Sequence, residues 1–300
     1  MGTRWIITGN EGQLGRALTR ALAAAPDREI VAAVDLPEVD IAEPRAVKAL
    51  LTSAGAPADY VVNAAAFTHV DRCETERELA HGANAVGPGV LAQACAAVGS
   101  KLVHVSTDYV FAGDAETPYR EDDEPAPATA YGETKLEGER RVFAASEDSL
   151  VVRTSWVFGE GRNFIAAILN QARARRDGSA SGSLAVVDDQ HGRPTYAEDL
   201  AAAIIALLER GARGVYHVSN AGVATWWDLA RKSLDLAGFS DLAIDRIRTG
   251  DLDLPARRPR WSVLDCSKAE AKGIRLQSWQ EAVRAYLESD ISPAAGPEES

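Results

Sequence analysis

Four short apolar runs punctuate the first third of the chain: RWIIT, REIVAAVD, DYVVNAAA and KLVHVST. None alternates cleanly between apolar and polar, so none has a wet face. Runs of this kind suit strands of a parallel sheet covered on both sides. Between them lie alanine-rich stretches with apolar positions recurring every three to four residues: LGRALTRALAAA, PRAVKALLTSAG and VGPGVLAQACAAVG. The alternation predicts a doubly wound, Rossmann-like parallel sheet of the α/β class, continued by strands at SLVVRTSW and GVYHVS.

Beyond Arg153 the alternation loosens. Helices are expected at NFIAAILNQARARRD, AEDLAAAIIALLERG, TWWDLARKSLDLAG and SWQEAVRAYLE, with a short strand at SLAVV. This predicts a smaller α+β substrate-binding lobe whose chain crosses back to the first at least once. We divide the chain into a dinucleotide-binding domain of residues 1–155 plus about 190–218, and a lobe of about 156–189 plus 219–290. Residues 291–300, ending SPAAGPEES, have the composition of a disordered tail.

Composition narrows the function. Three hundred residues, 46% hydrophobic, are enough for a full core. A net charge of −12 argues against a nucleic-acid surface, which needs a basic face. The start, MGTRWIITG, lacks the features of a secretion signal and no later apolar run could span a membrane, so a cytoplasmic protein is expected. Cys73, Cys95 and Cys266 are widely spaced with no CxxC pair, which predicts free thiols and neither disulfide nor zinc site. Arg257, Arg258 and Arg260 form the densest late cationic run, either a solvated loop or a local phosphate contact.

The first strand leads into Thr8-Gly9-Asn10-Glu11-Gly12-Gln13-Leu14-Gly15, which opens the first helix. Glycines at 9, 12 and 15 allow a tight turn, close approach of backbone to a pyrophosphate, and close packing of helix on strand. Asp35 ends the second strand, where a carboxylate can accept from the adenosine ribose hydroxyls and repel a 2′-phosphate; Leu36 follows, not a neutralising arginine. NADH is therefore expected over NADPH. Asp40 and Ile41 could flank the adenine, or merely start a helix; Ala64, Ala65 and Ala66 keep the next strand end small where backbone passes under a cofactor.

Tyr131 and Lys135 lie four apart on one helix face. A nearby ammonium favours the phenolate, which would draw the tyrosine pKa down toward neutrality, and lysine could also reach the nicotinamide ribose. The run VSTDYVFAG sets four polar side chains, Ser106 to Tyr109, at the carboxyl end of a strand, where open parallel sheets bind ligands. Thr107 is expected to polarise a substrate carbonyl beside Tyr131, and Ser106 to cap the following turn.

Together these elements resemble the extended short-chain dehydrogenase/reductase superfamily. Within it, NAAAFTHVDRCE, VSTDYVFAGD, PYREDDEPAPATAYGETKLEGE, VVRTSWVFGEGRNF, VVDDQHGRPTYAEDLA and LPARRPRWSVLD resemble the successive motifs of the dTDP-4-dehydrorhamnose reductase family, from Arg4 to roughly Leu287. The resemblance implies Thr107, Tyr131 and Lys135 as catalytic triad, and hydride transfer to C4 of a dTDP-linked 4-keto-6-deoxy sugar. It implies dinucleotide contacts from the Gly9–Gly15 loop (Glu11, Gln13 and Leu14 included), and sugar-nucleotide contacts from Thr68, Asp108, Tyr109, Trp156, Asn163, Arg257 and Arg258.

Sister 4,6-dehydratases carry Asp-Glu after the threonine; Asp108-Tyr109 here lacks the carboxylate that would take the C5 proton. Arg193, Trp261 and Cys73 depart from the family pattern and bear on which sugar is bound. Glutamates that hold magnesium in some members have no match, so no metal is expected. His104 and His217, inside strand runs, are expected to be packed and hydrogen-bonded; His69 either borders the substrate or does not. A monomer or homodimer is expected. Alternatives are a 4-ketoreductase for another deoxysugar, or a non-catalytic regulatory subunit of this fold, against which the intact Thr, Tyr and Lys argue.

Overall fold

A computed structural model describes residues 2–52 and 57–289. The expected disordered tail, and the last residues of the helix expected over PRAVKALLTSAG, lie outside the described residues.

Along the chain run β1 (Thr3–Thr8), α1 (Gln13–Ala23), β2 (Arg28–Val34), α2 (Pro44–Thr52) and β3 (Tyr60–Asn63). Then follow α3 (Val70–Thr75), α4 (Arg77–His81), a π-helical turn over Gly82–Val86, α5 (Gly87–Val98), β4 (Lys101–Thr107), α6 (Ala130–Ala145) and β5 (Leu150–Thr154). The second half adds β6 (Val157–Phe158), α7 (Phe164–Arg176), β7 (Leu184–Val187), β8 (His191–Gly192), β9 (Thr195–Tyr196), α8 (Ala197–Glu209) and β10 (Gly214–His217). It closes with β11 (Ala224–Thr225), α9 (Trp226–Leu236), β12 (Ile244–Ile247), α10 (Ser267–Ala271) and α11 (Trp279–Glu288).

Six strands form the central sheet in the order β10-β5-β4-β3-β1-β2, all pairs parallel. The order reverses at β1, whose neighbours are β2 and β3, and the crevice outside the carboxyl ends at such a switch point is where open α/β sheets bind ligands. Trp5, Ile6 and Ile7 are fully buried, as an unbroken apolar strand requires. On one face Leu14, Leu18 and Leu22 of α1 pack with Leu200, Ile204 and Leu207 of α8; on the other, Val47 and Leu51 of α2 meet Leu91 of α5 and Val142 of α6. Truncating one such leucine to alanine costs about 2–5 kcal/mol.

The second core gathers Phe158, Ile165, Leu169, Leu184, Leu229, Leu234, Trp279 and Tyr286 around α7, α9 and α11, with β7 and β12 as a two-stranded parallel ribbon. The chain returns to the first lobe twice. Residues 197–217 supply α8 and β10, and α10 with the turn after it then places Ala269 and Ile274 in the first core. That second return carries no strand of the main sheet, so the alternation of apolar runs did not announce it.

Candidate functional site

The Gly9–Gly15 loop joins β1 to α1. Gly9 has φ +77°, and a Cβ on it would lie 2.5 Å from the Ala65 nitrogen; a Cβ on Gly15 would lie 2.0 Å from the Gly9 carbonyl oxygen. Those two glycines are required by the protein's own packing. A Cβ on Gly12 would meet only the Gly9 oxygen, at 3.4 Å. Gly12 lines the cleft and caps α1 without a side-chain hydrogen bond, and the first turn of α1 holds no acidic residue. The first N–H groups of α1 thus face a space that a Cβ would narrow, which fits a bound pyrophosphate.

The cleft measures ≈ 820 Å³. It runs from this loop, past Asp35 and Ala64–Ala66, to Thr68, Thr107, Asp108, Tyr109, Tyr131 and Lys135, and ends at Trp156 and Trp226. Asp35 accepts from the backbone N–H of Glu11 at 3.1 Å and of Leu36 at 2.8 Å, which fixes its carboxylate beside the loop. Asp40 and Ile41 are not brought to the cleft. Asp40 caps a local turn through the Ala42 N–H at 2.8 Å, and Ile41 is buried in the core behind the sheet, against Gly87.

Thr107 ends β4, in register with Thr154 of β5. α6 begins just above it, capped by Thr129, whose hydroxyl accepts from the Gly132 N–H at 3.1 Å. A Cβ on Gly132 would stand 2.1 Å from the Tyr109 carbonyl oxygen, so glycine here lets the helix rest on the turn after β4. Farther along, a Cβ on Gly138 would stand 2.2 Å from the Asn84 carbonyl oxygen of the π-helical turn. Asn84 also ties the Phe67 backbone, at 2.8 and 3.0 Å, to Thr134 of α6, at 3.3 Å. The sequence reading missed Asn84; a π-helical turn has no apolar periodicity of its own to betray it, although such turns gather at functional sites.

Tyr131 stands beside Thr107, whose hydroxyl donates to Asp108 Oδ1 at 2.9 Å and accepts the Tyr109 N–H at 3.2 Å. Thr107, not Ser106, therefore caps the turn. Ser106 instead donates to Glu139, whose carboxylate is held by Arg153 Nε at 2.9 Å and Nη2 at 2.7 Å in a buried ion pair under α6. The expected lowering of the Tyr131 pKa is reversed: burial pushes it up, beyond the offset from the nearby Thr107 hydroxyl, and the Asp108 charge adds to the rise. The phenol is held in its proton-bearing form. Lys135 is buried, donates to the Val105 carbonyl at 2.6 Å, and has its pKa brought down to about 8 by burial against the pull of Glu139. Burial also raises Asp108 to about 6.

Trp156 adopts φ 49°, the left-handed region, and its indole lies where a Cβ on Gly192 would intrude to 2.5 Å. It stacks on Trp226, which sequence reading missed; the Trp226 Nε1–H donates to Gln190 at 3.1 Å. Asn163 is spent on structure. Its Oδ1 caps α7 through the Ala166 N–H at 2.9 Å, and its Nδ2 donates to Gly159 O, Gly161 O and Tyr286 Oη. Arg258 is ion-paired with Asp71 at 2.6 Å, and Arg257 is exposed; neither lines the cleft. His104 and His217 are buried and hydrogen-bonded as expected, His217 through Nδ1 to the Tyr119 carbonyl at 3.1 Å. Cys73, Cys95 and Cys266 are free thiols. Among the described residues no group of three His, Cys, Asp or Glu side chains is arranged to hold a metal ion, and no helix is long and apolar enough to cross a membrane.

Comparison with known proteins agrees with this geometry. A family model described as RmlD substrate binding domain matches residues 3–291. The dTDP-4-dehydrorhamnose reductase of Mycolicibacterium smegmatis is 42% identical over 292 residues, 95% of this chain and 85% of that one. A probable dTDP-4,6-dihydroxy-2-methyloxan-3-one 4-ketoreductase of Streptomyces antibioticus is 40% identical, covering 98% of this chain and 97% of its own. Among solved structures, the dTDP-4-dehydrorhamnose reductase of Bacillus anthracis in complex with NADP superposes with a TM-score of 0.89 at 33% identity, over 96% of this chain and 99% of that one. The chain belongs to the dTDP-4-dehydrorhamnose reductase family, matched from end to end by its substrate-binding-domain model.

Proposed function

We propose that this chain reduces the C4 keto group of dTDP-4-dehydro-L-rhamnose to give dTDP-L-rhamnose, using a nicotinamide dinucleotide. The observation that carries the reading is the placing of Thr107, Tyr131 and Lys135 together along the cleft that also holds the glycine loop. When bound, the dinucleotide supplies the hydride. Gly9, Gly12 and Gly15 with the α1 N-terminus would hold its pyrophosphate, Asp35 its adenosine ribose, and Lys135 its nicotinamide ribose.

Tyr131, kept protonated by burial, donates its proton to the C4 oxygen, and Thr107, turning its one hydroxyl proton from Asp108 Oδ1, donates a hydrogen bond to the same oxygen as negative charge builds there. Thr68, Asp108, Tyr109 and the Trp156 face line the space for the sugar. Arg258 is held by Asp71, which a diphosphate at that corner would compete with.

Asp35 favours NADH, while the Bacillus anthracis relative was crystallised with NADP. The carboxylate of Asp35 supports NADH and the relative's bound NADP supports NADPH. The test is oxidation of NADH and of NADPH by purified protein given freshly made dTDP-4-dehydro-L-rhamnose, with the product identified. The Streptomyces antibioticus relative supports a second reading, the same reduction on another 4-keto deoxysugar. Turnover of such a sugar, and none of the rhamnose precursor, would select it.

A further inference from the structure

Behind Lys135 a line of buried polar groups crosses three adjacent strands, from Thr8 on β1 through Asn63 on β3 to His104 on β4. The orientation of the Asn63 amide is fixed by its neighbours. Its oxygen accepts the Ala65 backbone N–H at 3.1 Å, a group that can only donate, and the Thr8 hydroxyl at 2.9 Å. Its Nδ2, a donor, therefore faces His104 Nδ1 at 3.1 Å. A neutral imidazole carries one proton, and with Nδ1 accepting, that proton sits on Nε2. His104 is kept neutral by burial and by the nearby Lys135. Its Nε2 lies 3.3 Å from Lys135 Nζ. An N–H aimed at an ammonium sets donor against donor; aimed at an amine it meets a lone pair.

We propose that His104 is a positioning residue that presents its Nε2–H to Lys135, favouring the amine over the ammonium and so setting the pH at which the Tyr131–Lys135 pair loses its proton. The proposal rests on the ketoreductase reading above. The other groups around this pair are few. Glu139, one turn along α6, favours the ammonium, but its carboxylate is already shared between Arg153 and Ser106. On the cleft side Asp108, Tyr109 and Cys73 act on Tyr131. The Val105 carbonyl accepts from amine and ammonium alike, so it does not choose between them. His104 is the neighbour whose hydrogen-bond polarity makes that choice.

Two measurements test this. Nitrogen NMR of the histidine-labelled native protein is expected to show His104 with Nε2 protonated and Nδ1 bare between about pH 6 and 9; a proton on Nδ1 overturns the proposal, whatever the enzyme's substrate. The pH profile of kcat/KM, with dTDP-4-dehydro-L-rhamnose and NADH, is then compared for native protein, His104→Gln and His104→Leu. Glutamine can offer an amide N–H near the Nε2 position, and leucine cannot. The alkaline limb is expected to move up by about one pH unit, a tenfold change in proton concentration, in His104→Leu, and to stay in place in His104→Gln. A limb unmoved in folded His104→Leu overturns the proposal.

Discussion

The indoles of Trp156 and Trp226 lie stacked, with centroids 3.8 Å apart and planes 9° from parallel. One comes from the turn after β5 and the other from the start of α9, and both pack against the second core at the end of the cleft. Phe164 packs on the far side of Trp226, with centroids 4.7 Å apart. Such a stack is worth about 0.5–1.5 kcal/mol beyond its buried area. Trp226→Leu is therefore expected to raise KM for the sugar nucleotide by roughly 2- to 10-fold with kcat little changed. Steady-state kinetics check this; a loss confined to kcat would show that Trp226 does not act by holding the Trp156 face.

Removing the phenol oxygen should separate proton donation from binding. Tyr131→Phe is expected to lower kcat by about 10²- to 10⁴-fold while NADH affinity, read by fluorescence titration, stays within about twofold. Comparable loss of both would make the tyrosine structural.

Asp35 should set the choice of dinucleotide. Replacing it by serine removes the charge that repels a 2′-phosphate, so the ratio of kcat/KM for NADPH over NADH is expected to rise by about tenfold. An unchanged ratio would reject that role.

Asp108 gives a pH-dependent test of stability. Its pKa is raised to about 6 by burial, from an ordinary value near 3.8. Between these values the folded chain holds a proton that the unfolded chain has released, so this group costs stability progressively as pH rises through the window, and the full cost is present above about 6. Asp108→Asn is expected to stabilise the fold at pH 7.5, by on the order of 2 kcal/mol, and to change it little at pH 4. Urea unfolding at the two pH values reads the difference; an equal effect at both would refute the cause.

The buried Arg153–Glu139 pair supports the floor of the site. Arg153→Met alone leaves Glu139 uncompensated and is expected to cost about 3–5 kcal/mol, much of which the double variant with Glu139→Leu should recover. Chemical denaturation of the single and double variants measures the coupling; purely additive losses would contradict it.

The strands and helices of the first lobe were legible because the apolar runs of the inner strands are buried on both faces, with β2 at the sheet edge only half-buried, and each helix carries an apolar face, so periodicity maps onto burial. The glycine loop and the Tyr131–Lys135 spacing were legible for a related reason: their geometry is local. What stayed hidden depends on contacts between distant segments. Trp226 looked like an ordinary apolar helix start, yet it forms the wall behind Trp156. Asn163 matched a binding motif, but its side chain is consumed in capping α7. The Tyr131 pKa was misjudged because lysine's charge was visible in the sequence and the depth of burial was not.

Asp71 and Arg258 come from opposite ends of the sequence, and the whole loop holds on: the Ala256 N–H takes Asp71 Oδ1 at 3.1 Å while the guanidinium takes Oδ2 at 2.6 Å. A diphosphate arriving at Arg258 would meet a guanidinium already paired with a carboxylate. Where it displaces Asp71, binding is an ion exchange that conserves the number of pairs and frees α3 from the loop as it proceeds. Added salt weakens the pair that is lost as well as the pair that is gained. The affinity of this chain for an anionic ligand at that corner should therefore follow ionic strength less steeply than at a site built on an unpaired arginine, and the ligand's arrival should be felt at α3.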